Sequence, residues 1–301
     1  MNPIIAFVVL SFLGSAAAAA GDWHEHHRII VTTSWVHERL KDPRLVLLHV
    51  GDPKEYDSLH LPGAQFLPVR DIAKPFVEGS LSLELPETGR LDSVLEARGI
   101  SDSSIVVLYP GKDWFTPTAR VYLTLDYFGL GDRAFLMDGG MPAWISEGKP
   151  VTATLPEITP GKVTPQPRND VVVTKNWVRE RLEDPKVVLL DARNPQFYTG
   201  QDTGNASQPG HLPGAKNLPF DSLIDSTGHY KTPDQLRALF AERGMDTNKT
   251  AVSYCHVGQQ ACLVYVMARF LGYEARMYDG SMQEWTRDPE MPVVKEPAAG
   301  K

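Results

Sequence analysis

The sequence predicts an α/β fold built twice: two tandem domains, each a mostly parallel sheet flanked by helices on both faces. Three observations carry this. Short aliphatic runs, such as Leu45 to Leu48 and Val187 to Leu190, alternate with helical stretches, and strands separated by helices pair in parallel beneath crossover connections. Blocks of the first half return in the second in the same order, offset by about 142 residues. The chain has 301 residues, 42% of them hydrophobic, which is enough apolar material for two cores.

At the N-terminus, Ile4 to Leu13 form an apolar run followed by Gly14, Ser15 and five alanines. The run is too short to cross a bilayer, and the alanines offer small-x-small cleavage sites. The expectation is a signal peptide over residues 1–20, although no Lys or Arg precedes the run, with export to the periplasm of a Gram-negative source. No later segment is apolar enough to span a membrane. His24, Glu25, His26 and His27 could hold a soft divalent ion; a frayed polar tail is the preferred reading. The net charge of −7 and the lack of a basic run argue against nucleic-acid binding.

The first domain is expected over residues 28–149. Its Trp35-Val36-His37-Glu38-Arg39-Leu40 returns as Trp177-Val178-Arg179-Glu180-Arg181-Leu182, and His60-Leu61-Pro62-Gly63-Ala64 returns as His211-Leu212-Pro213-Gly214-Ala215. Asp138-Gly139-Gly140-Met141 likewise returns as Asp279-Gly280-Ser281-Met282. Val151 to Asp170 carries four prolines and no helical or strand period, so residues 150–170 read as a linker. Residues 171–301 form the second domain, with an insertion around Gly200 to Gly210 that reads as an exposed loop near the mouth of a site.

The chemistry gathers at Tyr254-Cys255-His256-Val257-Gly258-Gln259-Gln260-Ala261. Thr250 to Tyr254 reads as a buried strand and Cys262 to Leu271 as an almost wholly apolar helix. Cys255 therefore sits at a strand-to-helix turn, where free backbone N–H groups and the helix dipole favour an anion. A thiolate there is a nucleophile. Cys262, in the apolar helix with no cationic neighbour in sequence, reads as an inert core thiol, and a bridge to Cys255 would overreach normal disulfide geometry.

The ordered set strand-Asp191-Ala192-Arg193, His211 to Ala215, Cys255-x-x-Gly258 and Asp279-Gly280-Ser281, with its tandem counterpart, resembles the two-domain rhodanese family. The resemblance implies thiosulfate or 3-mercaptopyruvate sulfurtransferase activity, through a persulfide on Cys255, in the second domain only. The first domain carries Pro110 at the nucleophile position and His49-Val50-Gly51 where the second has Asp191-Ala192-Arg193, so it is expected to be inert scaffold supplying a wall of the cleft. Catalysis is assigned to Cys255. Substrate binding is assigned to Arg193, His256, Val257, Gly258, Gln259 and Gln260.

In that assignment the loop N–H groups hold negative charge on sulfur, and Gly258 lets the backbone curl. Arg193 is either an anion anchor or the partner of Asp191 in a structural ion pair. His256 adds positive charge or a hydrogen bond, or faces solvent. His60 and His211, present in both halves, read as structural. Val257 and the pair Gln259-Gln260 depart from the basic loop of thiosulfate-using members and from the Gly-rich loop of mercaptopyruvate-using ones. Thiosulfate is the expected donor, with cyanide or a thiol as acceptor, mercaptopyruvate as the alternative donor, and protein-to-protein sulfur relay as the rival function. A cysteine phosphatase is disfavoured because Ala261 stands where an arginine is needed. No metal or organic cofactor is expected.

Overall fold

The computed structural model describes residues 29–112, 115–204 and 206–295. The expected leader and residues 24–27 lie outside them. In chain order the first domain runs β1 (Ile30–Val31), α1 (Thr33–Glu38), β2 (Leu45–Val50), α2 (Pro53–Ser58), β3 (Gln65–Phe66), α3 (Thr88–Glu96), β4 (Ile105–Pro110), α4 (Phe115–Tyr127), β5 (Ala134–Met137) and α5 (Gly140–Ser146). The second repeats the plan with β6 (Val172–Val173), α6 (Lys175–Arg179), β7 (Val187–Asp191), α7 (Pro195–Tyr198), β8 (Lys216–Asn217), α8 (Pro233–Ala241), β9 (Thr250–Tyr254), α9 (Gln260–Phe270), β10 (Glu274–Tyr278) and α10 (Ser281–Trp285).

Both sheets are parallel and five-stranded, in the orders β1-β5-β4-β2-β3 and β6-β10-β9-β7-β8. β4 and β9 lie at the centre, and their near-continuous apolar sequences follow from burial on both faces. Asp191 pairs with Tyr254 and Met277 with Ser253, so β7, β9 and β10 deliver their carboxyl ends to one edge.

The repeated blocks have repeated physical duties. The hydroxyls of Thr32 and Thr174 cap α1 and α6 by accepting the N–H groups of Trp35 and Trp177. One turn on, the guanidinium groups of Arg39 and Arg181 lie 4.1 and 4.3 Å from the ring centroids of those tryptophans. His60 stacks on Tyr56 and His211 on Tyr198, each bonding that tyrosine's carbonyl at 2.7 and 2.8 Å. These two histidines order a turn, and neither lines the cleft over the cysteine loop. The proline-rich segment is an ordered strap: Thr152 exchanges two backbone hydrogen bonds with His60, Val163 is buried, and Arg168 N–H donates to the Tyr127 carbonyl.

The helix expected over 262–271 begins two residues sooner. α9 packs on its own sheet and on α4 of the first domain, which explains why it is apolar around its whole circumference. One apolar cluster runs continuously through both domains. The charged groups of this seam are gathered into clusters. Asp126 on α4, fully buried, accepts from Arg168 at 2.6 Å and from the Tyr265 hydroxyl at 2.6 Å, and Arg269 lies 3.3 Å away. Among the described residues no helix is long and apolar enough to cross a membrane.

Asp126→Ala strands two cations and a buried hydroxyl, so it should destabilise the protein by about 3 kcal/mol or more in denaturant unfolding. Arg237→Ala, which removes only an exposed ion pair with Asp234, should cost less than about 0.5 kcal/mol.

Candidate functional site

Cys255 follows directly on β9, and its loop runs into the N-terminus of α9. A cleft of about 310 Å3 opens over the loop, lined by Phe197, Gly204, Cys255, His256, Val257, Gln259 and Gln260. The structure therefore brings together five of the loop positions singled out from the sequence. Gly204 comes from the insertion, which does lie at the mouth. Cys255 is only 1% exposed, so a reactant must present a narrow end to reach its sulfur. All described lining residues belong to the second domain. The first domain supports the loop from beneath, with Thr116 Oγ1 accepting from the Gln259 amide at 3.2 Å.

Gly258 does not line the cleft, and its φ of +83° suits glycine. A Cβ there would come within 2.8 Å of two Asp279 oxygens. The first N–H groups of α9 have no carbonyl a turn ahead of them, although the Cys262 N–H reaches back to the Gln259 carbonyl at 3.3 Å, and the positive end of the helix dipole faces the loop. Unpaired backbone N–H groups of this kind suit an anion.

Cys255 N–H donates to Ser281 Oγ at 3.1 Å, and that hydroxyl donates to the Tyr278 carbonyl at 3.0 Å. Ser281 holds a left-handed φ of +50°, where the first domain has Gly140 at +54°. A serine in a conformation natural to glycine costs about 1 kcal/mol, and here its hydroxyl ties the end of β10 to the nucleophile position. The exchange of glycine for serine between the repeats was the sequence signal for it.

Arg193 is buried, outside the lining of the cleft. Its guanidinium grips Asp191 through three contacts of 2.6 to 3.2 Å and donates to the Gly210 carbonyl at 2.7 Å. Burial works against its charge, yet the hydrogen bonds and charge of Asp191 outweigh burial and hold its pKa above the ordinary value. Of the two roles open to this arginine, the geometry realises the ion pair.

His256 packs edge-on against Phe197, with ring centroids 4.6 Å apart. Burial first, then the charge of Arg193, lowers its pKa from 6.5 to about 4. The expectation that it could add positive charge at the mouth is thereby corrected: at neutral pH this ring is uncharged. Its Nδ1 and the Gln260 Oε1 have no hydrogen-bond partner among the described residues. Cys262 is fully buried, its Sγ 2.9 Å from the Gly258 carbonyl. Burial pushes its thiol up to about 12, as an inert core cysteine requires.

At the corresponding edge of the first sheet a hollow of about 460 Å3 is lined by Gly51, Glu55, Gly111, Lys112 and Pro117 among others. It is larger than the Cys255 cleft, but Pro110 closes the strand there and offers neither thiol nor N–H.

Residues 32–147 and 174–288 each match the rhodanese-like domain, and the chain belongs to the rhodanese family. It is 33% identical to the sulfur carrier protein TtuD of Thermus thermophilus, over 90% of this chain and 98% of that one. It is 31% identical to a probable 3-mercaptopyruvate sulfurtransferase of Pseudomonas aeruginosa, over 88% and 97%. The structure of an anaerobic ergothioneine biosynthesis enzyme from Chlorobium limicola, in complex with trimethyl histidine, superposes with a TM-score of 0.80 over 91% of this chain and 72% of that one. At 21% identity that likeness speaks for the fold alone.

Two measurements probe this geometry. His49, fully buried on β2, is also lowered to about 4, first by burial and then by the charge of His60. Unfolded histidines take up protons near pH 6.5, whereas these two resist until about pH 4. The unfolded chain thus binds more protons in that window, and stability should be complete above pH 6.5 and fall toward pH 4. Thermal melts across pH should show the slope, and His49→Leu should flatten it. Ser281→Ala keeps the strained φ and strands the buried Cys255 N–H, costing about 2 kcal/mol. Ser281→Gly should cost less, reversing the usual order of alanine over glycine.

Proposed function

We propose that this protein is a sulfurtransferase that takes a sulfane sulfur from thiosulfate onto Cys255 and passes it to cyanide or a thiol. The carrying observation is a cysteine at the base of a narrow cleft, between the carboxyl end of β9 and the N-terminus of α9. The Cys255 thiolate attacks the outer sulfur of thiosulfate. A sulfur–sulfur bond forms on the enzyme as the one in thiosulfate breaks, and sulfite leaves with the electron pair. The acceptor then attacks the outer sulfur of the persulfide and releases the Cys255 thiolate.

Backbone N–H groups from His256 to Gln260 stabilise the charge on sulfur in both states. Gly258 permits the curl, Val257 keeps the wall apolar, Gln260 presents its amide to the donor's oxygens, and Gln259, its amide held by Thr116, offers its backbone N–H. His256, uncharged, shapes the rim. Arg193 acts from behind, fixing the end of β7 through Asp191.

Two features favour thiosulfate over mercaptopyruvate. The sulfur at the base of the cleft admits a slender donor end. The Arg193 fork, which would suit a carboxylate, is already filled by Asp191. A protein-to-protein relay is the second reading, supported by the likeness to TtuD, named a sulfur carrier.

Intact-mass spectrometry after thiosulfate treatment tests this. The expected gain is one sulfur, about 32 Da, removable by cyanide, absent in Cys255→Ser and retained in Cys262→Ser. A gain from mercaptopyruvate alone would transfer the assignment to that donor, and no gain from either would replace it with a protein donor.

A further inference from the structure

The first domain has no nucleophile, yet one of its side chains reaches into the cysteine loop. Arg120 on α4 is fully buried. Its Nη1 bonds Asp279 Oδ1 at 2.5 Å and the Gly258 carbonyl at 3.3 Å, and its Nη2 bonds the Leu83 carbonyl. The charge of Asp279 outweighs burial and keeps the guanidinium ionised. Asp279 Oδ2 also accepts the Leu85 N–H at 3.3 Å. One cation thus joins three chain segments from two domains, and one of its three acceptors belongs to the sulfur-carrying loop.

We propose that Arg120 is a positioning residue for sulfur transfer at Cys255, a role that rests on the sulfurtransferase reading. A trans peptide points its C=O and N–H in opposite directions. Holding the Gly258 carbonyl down against Arg120 therefore turns the Gln259 N–H toward the other side of the loop. Of residues 255–260, all but Gly258 line the cleft, so that other side is where the sulfur sits. A loop rich in backbone dipoles stabilises an anion only when those dipoles are fixed beforehand. Here Cys262 Sγ of the same domain, at 2.9 Å, and Arg120 of the neighbouring domain hold that carbonyl together, and only Arg120 brings a charge. The duplicated copy, expected to supply a wall of the cleft, lines none of it among the described residues; instead its α4 sets the peptide that faces the persulfide.

The two repeats show that this is a specialised use of a shared contact. Asp138 and Asp279, equivalent in the repeat, both reach across the seam, and each accepts a backbone N–H from the other domain, of Tyr230 and of Leu85. Asp138 takes its second bond from His229, at 2.9 Å. Only Asp279 takes it from an arginine that also bonds the cysteine loop.

The test compares wild type, Arg120→Met and Arg120→Lys. Lysine keeps a buried cation beside Asp279 but lacks the planar fork that reaches Gly258 and Leu83 as well. Two readouts are taken on protein shown to be folded: the rate of iodoacetamide alkylation of Cys255 at pH 7, located by peptide mapping, and steady-state sulfur transfer from thiosulfate to cyanide. Both variants should lose roughly tenfold in alkylation rate and in kcat with KM little changed, the size expected for one misdirected donor. Because lysine preserves the charge, full recovery in Arg120→Lys would overturn the geometric role. Unchanged rates in either folded variant would reduce Arg120 to a brace between domains. Should wild type fail to turn over thiosulfate, the sulfurtransferase reading with that donor fails, and alkylation alone then decides the role of Arg120: slower in both variants sustains it, equal rates overturn it.

Discussion

α4 and α9 each lie with one side on their own sheet and the other side on each other, so neither has a face that meets water. A parallel sheet needs cover on both faces, and in this chain part of that cover is shared between the two copies. The consequence is a single apolar cluster crossing the domain boundary. It also means that a charged group placed on either helix must find its partner mainly within the seam.

Two clusters meet that demand and divide the work. Asp126 collects Arg168 of the strap with Tyr265 and Arg269 of α9, well away from the cysteine. Arg120 collects Asp279, Leu83 and Gly258 beside it. Further bonds add to the second: Ser82 exchanges hydrogen bonds with Gln283, and Arg287 donates to the carbonyls of Gly79 and Ser80. The loop over residues 79–85 is thereby pinned against the start and end of α10, and the cysteine loop lies between fixed neighbours on both sides.

The electrostatics of the cleft follow from what is engaged elsewhere. Arg193 is committed to Asp191, His256 is uncharged at neutral pH, and no cationic side chain lines the cleft among the described residues. What remains to face an anion is the backbone and the end of α9. Such a site depends on geometry more than on net charge, because amide dipoles act only over short distances and only when aimed. That dependence gives physical meaning to the Ser281 hydroxyl on the Cys255 N–H and to the Arg120 hold on the Gly258 carbonyl.

Much of this was legible in the chain. The doubled blocks determined a doubled α/β fold, since each block encodes a local device: a threonine cap with a stacked arginine, a histidine on a tyrosine, an aspartate at a turn. The strand, cysteine, glycine and apolar helix in succession determined where the loop would lie, because strand-to-helix turns at a parallel sheet's carboxyl edge are set by connectivity alone. The tertiary structure decided the rest. Arg193 and His256 are titratable groups whose roles depend on burial and on neighbours distant in sequence, so their types permitted several duties and only packing selected one. Arg120 is a charge within the mostly apolar α4, and the sequence around it names no partner. Its target lies 138 residues away, in the other domain, and a hydrogen bond across a seam leaves no periodicity in the sequence to read.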